Sequence, residues 1–126
     1  MFPAEQQPQI RSVLADILKG VICQTLCRSI GGGRVAALEI LVTDLGVSSL
    51  IREGKTHQML SAMQTGRSRG NRILNDELAR LVGEKIVEEA EAMSKAVDKP
   101  DLALKLKAQT DAAAAAAAAA AQPARR

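Results

Sequence analysis

The chain has 126 residues, one aromatic side chain (Phe2) and a net charge of +3 from 17 basic and 14 acidic side chains. That balance excludes a core built on aromatic rings and the basic stripe of a dedicated nucleic-acid binder. Two cysteines make no disulfide framework, so a reducing, cytoplasmic setting is expected. Met1 to Pro8 lacks the basic and apolar regions of a secretory signal, and no apolar run approaches the ~20 residues that span a bilayer. Setting aside the alanine run from Ala112 leaves about 110 residues, enough for one small domain.

Residues 5–19 read as a helix. Ile10, Val13, Leu14, Ile17 and Leu18 recur at i, i+3, i+4, i+7 and i+8, one apolar stripe expected to face the core, and Gly20 ends it. Val21 to Leu26 is short and rich in strand-forming residues. Gly31-Gly32-Gly33 supplies a turn, because glycine reaches positive φ without steric cost. Val35 to Val42 is a second apolar run broken only by Glu39, so the pair predicts a β-hairpin whose second strand is buried on both faces. From Asp44 the pattern turns helical. A short helix is expected over 46–53, with Val47, Leu50 and Ile51 inward. Thr56 is expected to cap a second helix that turns Met59, Leu60 and Met63 inward. Gly66 to Gly70 is a break, Asn75 a cap for Leu78, Leu81 and Val82, and Glu88 to Val97 a last helix stopped by Pro100. The alanine tail is helical by propensity but carries no stripe to dock.

Gly54-Lys55-Thr56 resembles the end of a phosphate-binding loop. That loop needs a further glycine where Ser49 stands, and a strand before it where Leu50 to Glu53 reads as helix. The favoured reading is a helix end. Gly31-Gly32-Gly33-Arg34 is read as a hairpin turn rather than an anion site. Cys23 and Cys27 would share one strand face roughly 13 Å apart, too far for a disulfide or a shared metal, and read as buried, inert thiols. His57 has no visible partner and reads as a surface residue. Arg67, Arg69 and Arg72 have no interleaved aromatics to stack bases, so a solvated or protein-contact loop is favoured. Glu39, a charge on an apolar strand, calls for a partner; Arg34 is the candidate for a structural ion pair, with Arg28 also near in sequence. Glu84, Glu88, Glu89 and Glu91 with Lys85 and Lys95 read as a solvated helical face.

The order of these segments carries a resemblance. Phe2-Pro3, then Leu14 to Lys19, Gly20 to Leu26, Gly31 to Leu41, Leu50-Ile51-Arg52-Glu53 and Gln64-Thr65-Gly66 together resemble the C-terminal part of the PilT-like twitching-motility (retraction) ATPases of type IV pili. These are members of the type II/type IV secretion ATPases. The resemblance covers roughly residues 2–98. It implies an α/β fold, the C-terminal portion of a RecA-like ATPase domain. Residues 1–44 would be a late helix and β-hairpin of that core, 45–98 a C-terminal helical bundle, and 99–126 a disordered or helical Ala-rich tail.

The resemblance also implies a hexameric cytoplasmic motor, peripheral at the inner membrane through the pilus base, with no direct membrane insertion and no nucleic-acid partner. The family uses ATP and Mg²⁺, but its phosphate loop, metal-holding acidic segment, catalytic glutamate and histidine box precede the segment matched here. This chain is therefore expected to hold no cofactor and to be inactive as an ATPase alone, with Met1 readable as an internal methionine of a longer frame. The family's retraction motif, Ala-Ile-Arg-Asn-Leu-Ile-Arg-Glu, matches in its second half as Leu50, Ile51, Arg52 and Glu53; Gly46-Val47-Ser48-Ser49 replaces the first half. The family's Gly-Met-Gln-Thr segment stands here as Gly70-Asn71-Arg72-Ile73. A standalone module docking on an intact motor is the alternative reading.

Overall fold

A computed structural model describes residues 2–120. In chain order the elements are α1 (Gln7–Ile17), β1 (Gly20–Arg28), β2 (Arg34–Val42), α2 (Leu45–Glu53), α3 (Met59–Thr65), α4 (Leu74–Gly83), α5 (Glu89–Lys95) and α6 (Lys99–Ala120). Short 3-10 turns over Thr56–Gln58 and Arg67–Arg69 flank α3. The strands form a two-stranded sheet. The hairpin forms as the glycine run predicts: Gly32 and Gly33 take φ of 92° and 74°, and the Ser29 N–H donates to the Gly33 carbonyl.

The chain divides into two compact units. One comprises residues up to Gln24 together with Leu38–Ile73, the other Thr25–Ala37 together with Leu74 onward. These units differ from the expected spans 1–44, 45–98 and 99–126.

In the first unit Ala15, Val47 and Ile51 form the buried centre, with Leu18, Leu41, Met59 and Ala62 packed around it. The expected inward stripe of α1 is corrected here. Val13, Leu14 and Ile17 are exposed, and the face that packs carries Ala15 instead. Ala15 sits on the opposite side of the helix from Ile17, about 200° away at 100° per residue. A small residue facing α2 lets the two helix backbones approach closely. Asp44 caps α2, its Oδ1 accepting from the Val47 N–H at 2.8 Å, and Gly54 ends α2 at φ 70°. The expected Thr56 cap is not made: Thr56 opens a 3-10 turn whose side chains form no cap.

In the second unit Leu78, Leu81, Val87, Ala92, Leu102 and Leu106 pack with Cys27 and Ala37. Three expectations are corrected. Pro100 does not stop a helix; it lies in the first turn of α6, where its missing N–H costs nothing. Asp98 supplies the cap, its Oδ1 accepting from the Asp101 N–H at 3.0 Å. The span expected to be a tail thus buries Leu102 and Leu106, four residues apart on one face. Asn75 is not a cap either. Its amide is buried and donates to the Asp98 carbonyl and to Asp101 Oδ2, both at 2.8 Å, tying the start of α4 to the start of α6. From Ala112 to Ala119 the α6 side chains are exposed. Ala121 to Arg126 of the alanine-rich tail lie outside the described residues.

Candidate functional site

The candidate motif residues Leu50, Ile51, Arg52 and Glu53 form the last turn of α2. Four consecutive helical residues point around the whole helix, so they cannot act alike. Ile51 is in the core, 9% exposed, and Leu50 is half-buried. Arg52 and Glu53 are exposed. Arg52 reaches back to α1, where its Nη2 lies 2.7 Å from Asp16 Oδ1, with both side chains roughly half in solvent. Glu53 meets the Lys55 ammonium at 2.6 Å. The motif therefore divides into an apolar half that holds α2 in place and a charged half that faces outward.

Beside Arg52 the first unit has a cleft of about 440 Å³. Asp16 and Lys19 of the α1 side line it with Thr43, Asp44, Ser48 and Arg52. The Ser48 hydroxyl is used internally, donating to the Ala15 carbonyl at 2.8 Å. Thr43 Oγ1 is buried without a hydrogen-bond partner. Asp44 is also used twice, capping α2 and holding Arg69 at 2.7 Å. The cleft carries both signs of charge, the chemistry of a protein-contact surface rather than of an anion cradle.

Gly54-Lys55-Thr56 follows helix α2, and Gly54 is the left-handed residue that ends it. Its N–H groups are spent on the helix end: Gly54 donates to the Ile51 carbonyl and Lys55 to the Leu50 carbonyl. No backbone N–H cluster is left there for a phosphate.

The ion pair expected between Arg34 and Glu39 does not form, and neither side chain has an ion-pair partner among the described residues. They are five apart on β2, so their side chains leave opposite faces of the strand. Arg28 contributes its backbone instead, donating to Glu91 Oε1 at 3.0 Å. Cys27 is buried, and burial, with the Glu91 carboxylate nearby, pushes its thiol pKa up. Cys23 is exposed, which corrects its reading as buried. His57 is exposed, as expected. Among the described residues no cluster of metal-ligating side chains occurs, and no helix is long and apolar enough to cross a membrane.

Two residues not singled out from sequence hold the first unit together. Asn71 Oδ1 accepts from the Val42 N–H at 2.6 Å, fixing the end of β2, and its amide lies within 3.5 Å of the Met63 carbonyl. Next to it Arg72 exchanges backbone hydrogen bonds with Ile40 at 2.8 and 2.9 Å. Asp16 is the other. It sits 36 residues from Arg52, and no local pattern links them.

No protein-family profile matches the chain. Individual proteins do. The type IV pilus retraction ATPase PilT of Pseudomonas aeruginosa is 46% identical over 96 residues, 76% of this chain and 28% of PilT. A twitching motility protein of Neisseria gonorrhoeae is 39% identical over 88 residues, 69% of this chain and 24% of that protein. A crystal structure of the pilus retraction motor PilT with bound ADP superposes with a TM-score of 0.70 and 38% identity, covering 80% of this chain and 28% of the motor.

The hairpin with flanking helices and a helical C-terminal part is thus the architecture of a segment of a secretion-type motor ATPase, as the segment order implies. Within that class the chain is PilT-like, homologous to the type IV pilus retraction ATPases. It spans about a quarter of the length of the relatives it matches.

Proposed function

We propose that this chain works as a part of a pilus-retraction motor: it supplies a β-hairpin and helical units to an assembly of ATPase subunits, and has no ATPase activity alone. The observation that carries this reading is the 46% identity to PilT, confined to 28% of that protein. Phosphoryl transfer needs a cradle for the triphosphate and carboxylates that hold its metal. The described residues offer neither: the one glycine-lysine-threonine run ends a helix, and no acidic cluster fits a metal. In this reading the chain alone binds no ATP or Mg²⁺.

In this reading the partners are the subunits of a homo-hexameric motor and, through them, the pilus base at the inner membrane, from the cytoplasmic side. Arg52 and Glu53 form the outward contact, held in place by Ile51. The uncovered apolar residues Val13, Leu14 and Ile17 favour a part over a self-sufficient regulator, since a standalone module normally covers such a stripe.

The test has two arms. Phosphate release by the purified chain is expected at the background rate, and magnesium-dependent ATP turnover that disappears in Lys55→Ala overturns the claim of inactivity. Co-purification with a PilT-like ATPase is expected to be lost in Arg52→Glu/Glu53→Arg. Retention by that variant removes the assigned contact.

A further inference from the structure

Helix α2 grips the end of α1 at two points, both inside the first unit. The Ser48 hydroxyl donates to the Ala15 carbonyl at 2.8 Å, and Arg52 Nη2 donates to Asp16 Oδ1 at 2.7 Å. Ser48 and Arg52 are four apart on α2, so they stand one above the other on one helix face. Ala15 and Asp16 are consecutive in the last turn of α1. The Ala15 carbonyl is one of the acceptors that a helix end leaves without an intrahelical donor, so Ser48 supplies a donor that α1 lacks.

The first point is rigid. Ala15 is 2% exposed and packs with Val47 and Ile51, so the backbone that carries Asp16 is fixed against α2. The second point is a long side chain, roughly half in solvent. A surface arginine samples many rotamers, and ordering it costs conformational entropy. A carboxylate whose backbone is held by core packing selects the rotamers that reach it. The carboxyl end of α1 adds its partial negative charge on the same side. A guanidinium has several N–H donors, so one bond to Asp16 sets its direction and leaves donors for a partner.

We propose that Asp16 is a positioning residue, which holds the Arg52 guanidinium in the direction from which the motor partner meets it. This rests on the motor reading, which assigns Arg52 to the outward contact, and on contacts made inside one unit. The pair does not need to be strong to act this way. A half-exposed ion pair biases a rotamer population about two- to fivefold. Affinity scales with the fraction of the chain already in the binding-competent arrangement, so the same factor is expected in the dissociation constant.

The test measures two quantities on the full chain. One is affinity for the retraction ATPase PilT of Pseudomonas aeruginosa, by titration calorimetry. The other is the NMR order parameter of the Arg52 Nε–H in the free chain, which a merely structural role for the pair in binding would not link to affinity. In Asp16→Asn the order parameter is expected to fall and the dissociation constant to rise about two- to fivefold. Asp16→Glu keeps the charge and is expected to recover most of both. An Arg52 order parameter or an affinity unchanged in Asp16→Asn overturns the proposal. Tighter binding by Asp16→Asn also overturns it, because Asp16 then competes with the partner for Arg52. Failure of the motor reading shows differently, as absence of binding by the wild type or as undiminished binding by Arg52→Glu/Glu53→Arg. In either case the positioning role falls with it.

Discussion

The Arg52 guanidinium closes on the Asp16 carboxylate at 2.7 Å, joining the last turn of α2 to the last turn of α1. The two side chains are 47% and 63% exposed, so solvent screens the pair and its stability contribution is small. A double-mutant cycle of Asp16→Ala and Arg52→Ala is expected to give a coupling of about 0.2–1 kcal/mol in chemical denaturation, shrinking as salt is added. The effect on motor association should exceed the effect on folding, because the pair aims Arg52 outward rather than building the core. A coupling of several kcal/mol would show that the pair is structural.

Leu102 and Leu106 assign part of the expected tail to the core. Leu102→Ala is expected to cost about 2–5 kcal/mol in the unfolding free energy of the second unit. Truncation after Asp111 removes the exposed Ala112 to Ala119 and the residues that follow, and should leave the thermal midpoint unchanged. Truncation after Asp98 should unfold the second unit. Equal midpoints for both truncations would return the whole segment to the status of a tail.

Asn71 spans β2 and the end of α3 with a single amide, and it is buried. Asn71→Ala leaves the Val42 N–H without its acceptor, at a cost of about 1–3 kcal/mol. Gly66→Ala should be worse than an ordinary glycine substitution, because a Cβ there meets the Asn71 amide nitrogen and, at 3.1 Å, the Ala62 carbonyl oxygen. Guanidinium titrations of both variants check this. A Gly66→Ala protein as stable as wild type refutes the packing around Asn71.

The two thiols should separate cleanly in alkylation. Cys23 is exposed and reacts in the native state, whereas Cys27 is fully buried and reacts only on unfolding. Burial raises the Cys27 pKa in the folded chain above its unfolded value. Its neutral thiol therefore contributes stability that is fully present below the unfolded thiol pKa. That contribution is lost as pH climbs through the unfolded value toward the folded one. Unfolding free energy should fall on the alkaline side in wild type, and less steeply in Cys27→Ala once its own loss of packing is subtracted. Equal slopes would show that Cys27 does not titrate differently on folding.

Lys105 lies 2.9 Å from Asp76 and 3.4 Å from Asp101, and its hydrogen bond to Asp76 is the main cause of its raised pKa. Its ammonium anchors the buried side of α6 to α4. Lys105→Met keeps the stem and removes the charge. It is expected to destabilise modestly, by about 1 kcal/mol, with the deficit fading above the unfolded lysine pKa. A pH-independent deficit would assign the effect to packing alone.

The local grammar of the chain was legible without coordinates. Triple glycine between two apolar runs specifies the hairpin, because few other residues reach positive φ twice in succession. The α2 boundaries follow from Asp44 and Gly54, a cap and a left-handed stop. The segment order points to the retraction ATPases because each motif keeps its place relative to the next. What failed locally was a competition between two signals. Pro100 reads as a stop, but Asp98-Lys99-Pro100-Asp101 is also a start, and the start prevails because proline suits a first turn.

Tertiary structure decided the rest. The sequence of α1 specifies a helix with more apolar residues than one neighbour can cover. Only the position of α2 selects Ala15 for the interior and leaves Val13, Leu14 and Ile17 outside. Asn71 and Val42, Asp16 and Arg52, and Asn75 and Asp98 meet across separations of 29, 36 and 23 residues. Propensity and periodicity act over a turn or a strand, so they fix what each element is. Which side chains meet between elements depends on packing that no local window contains.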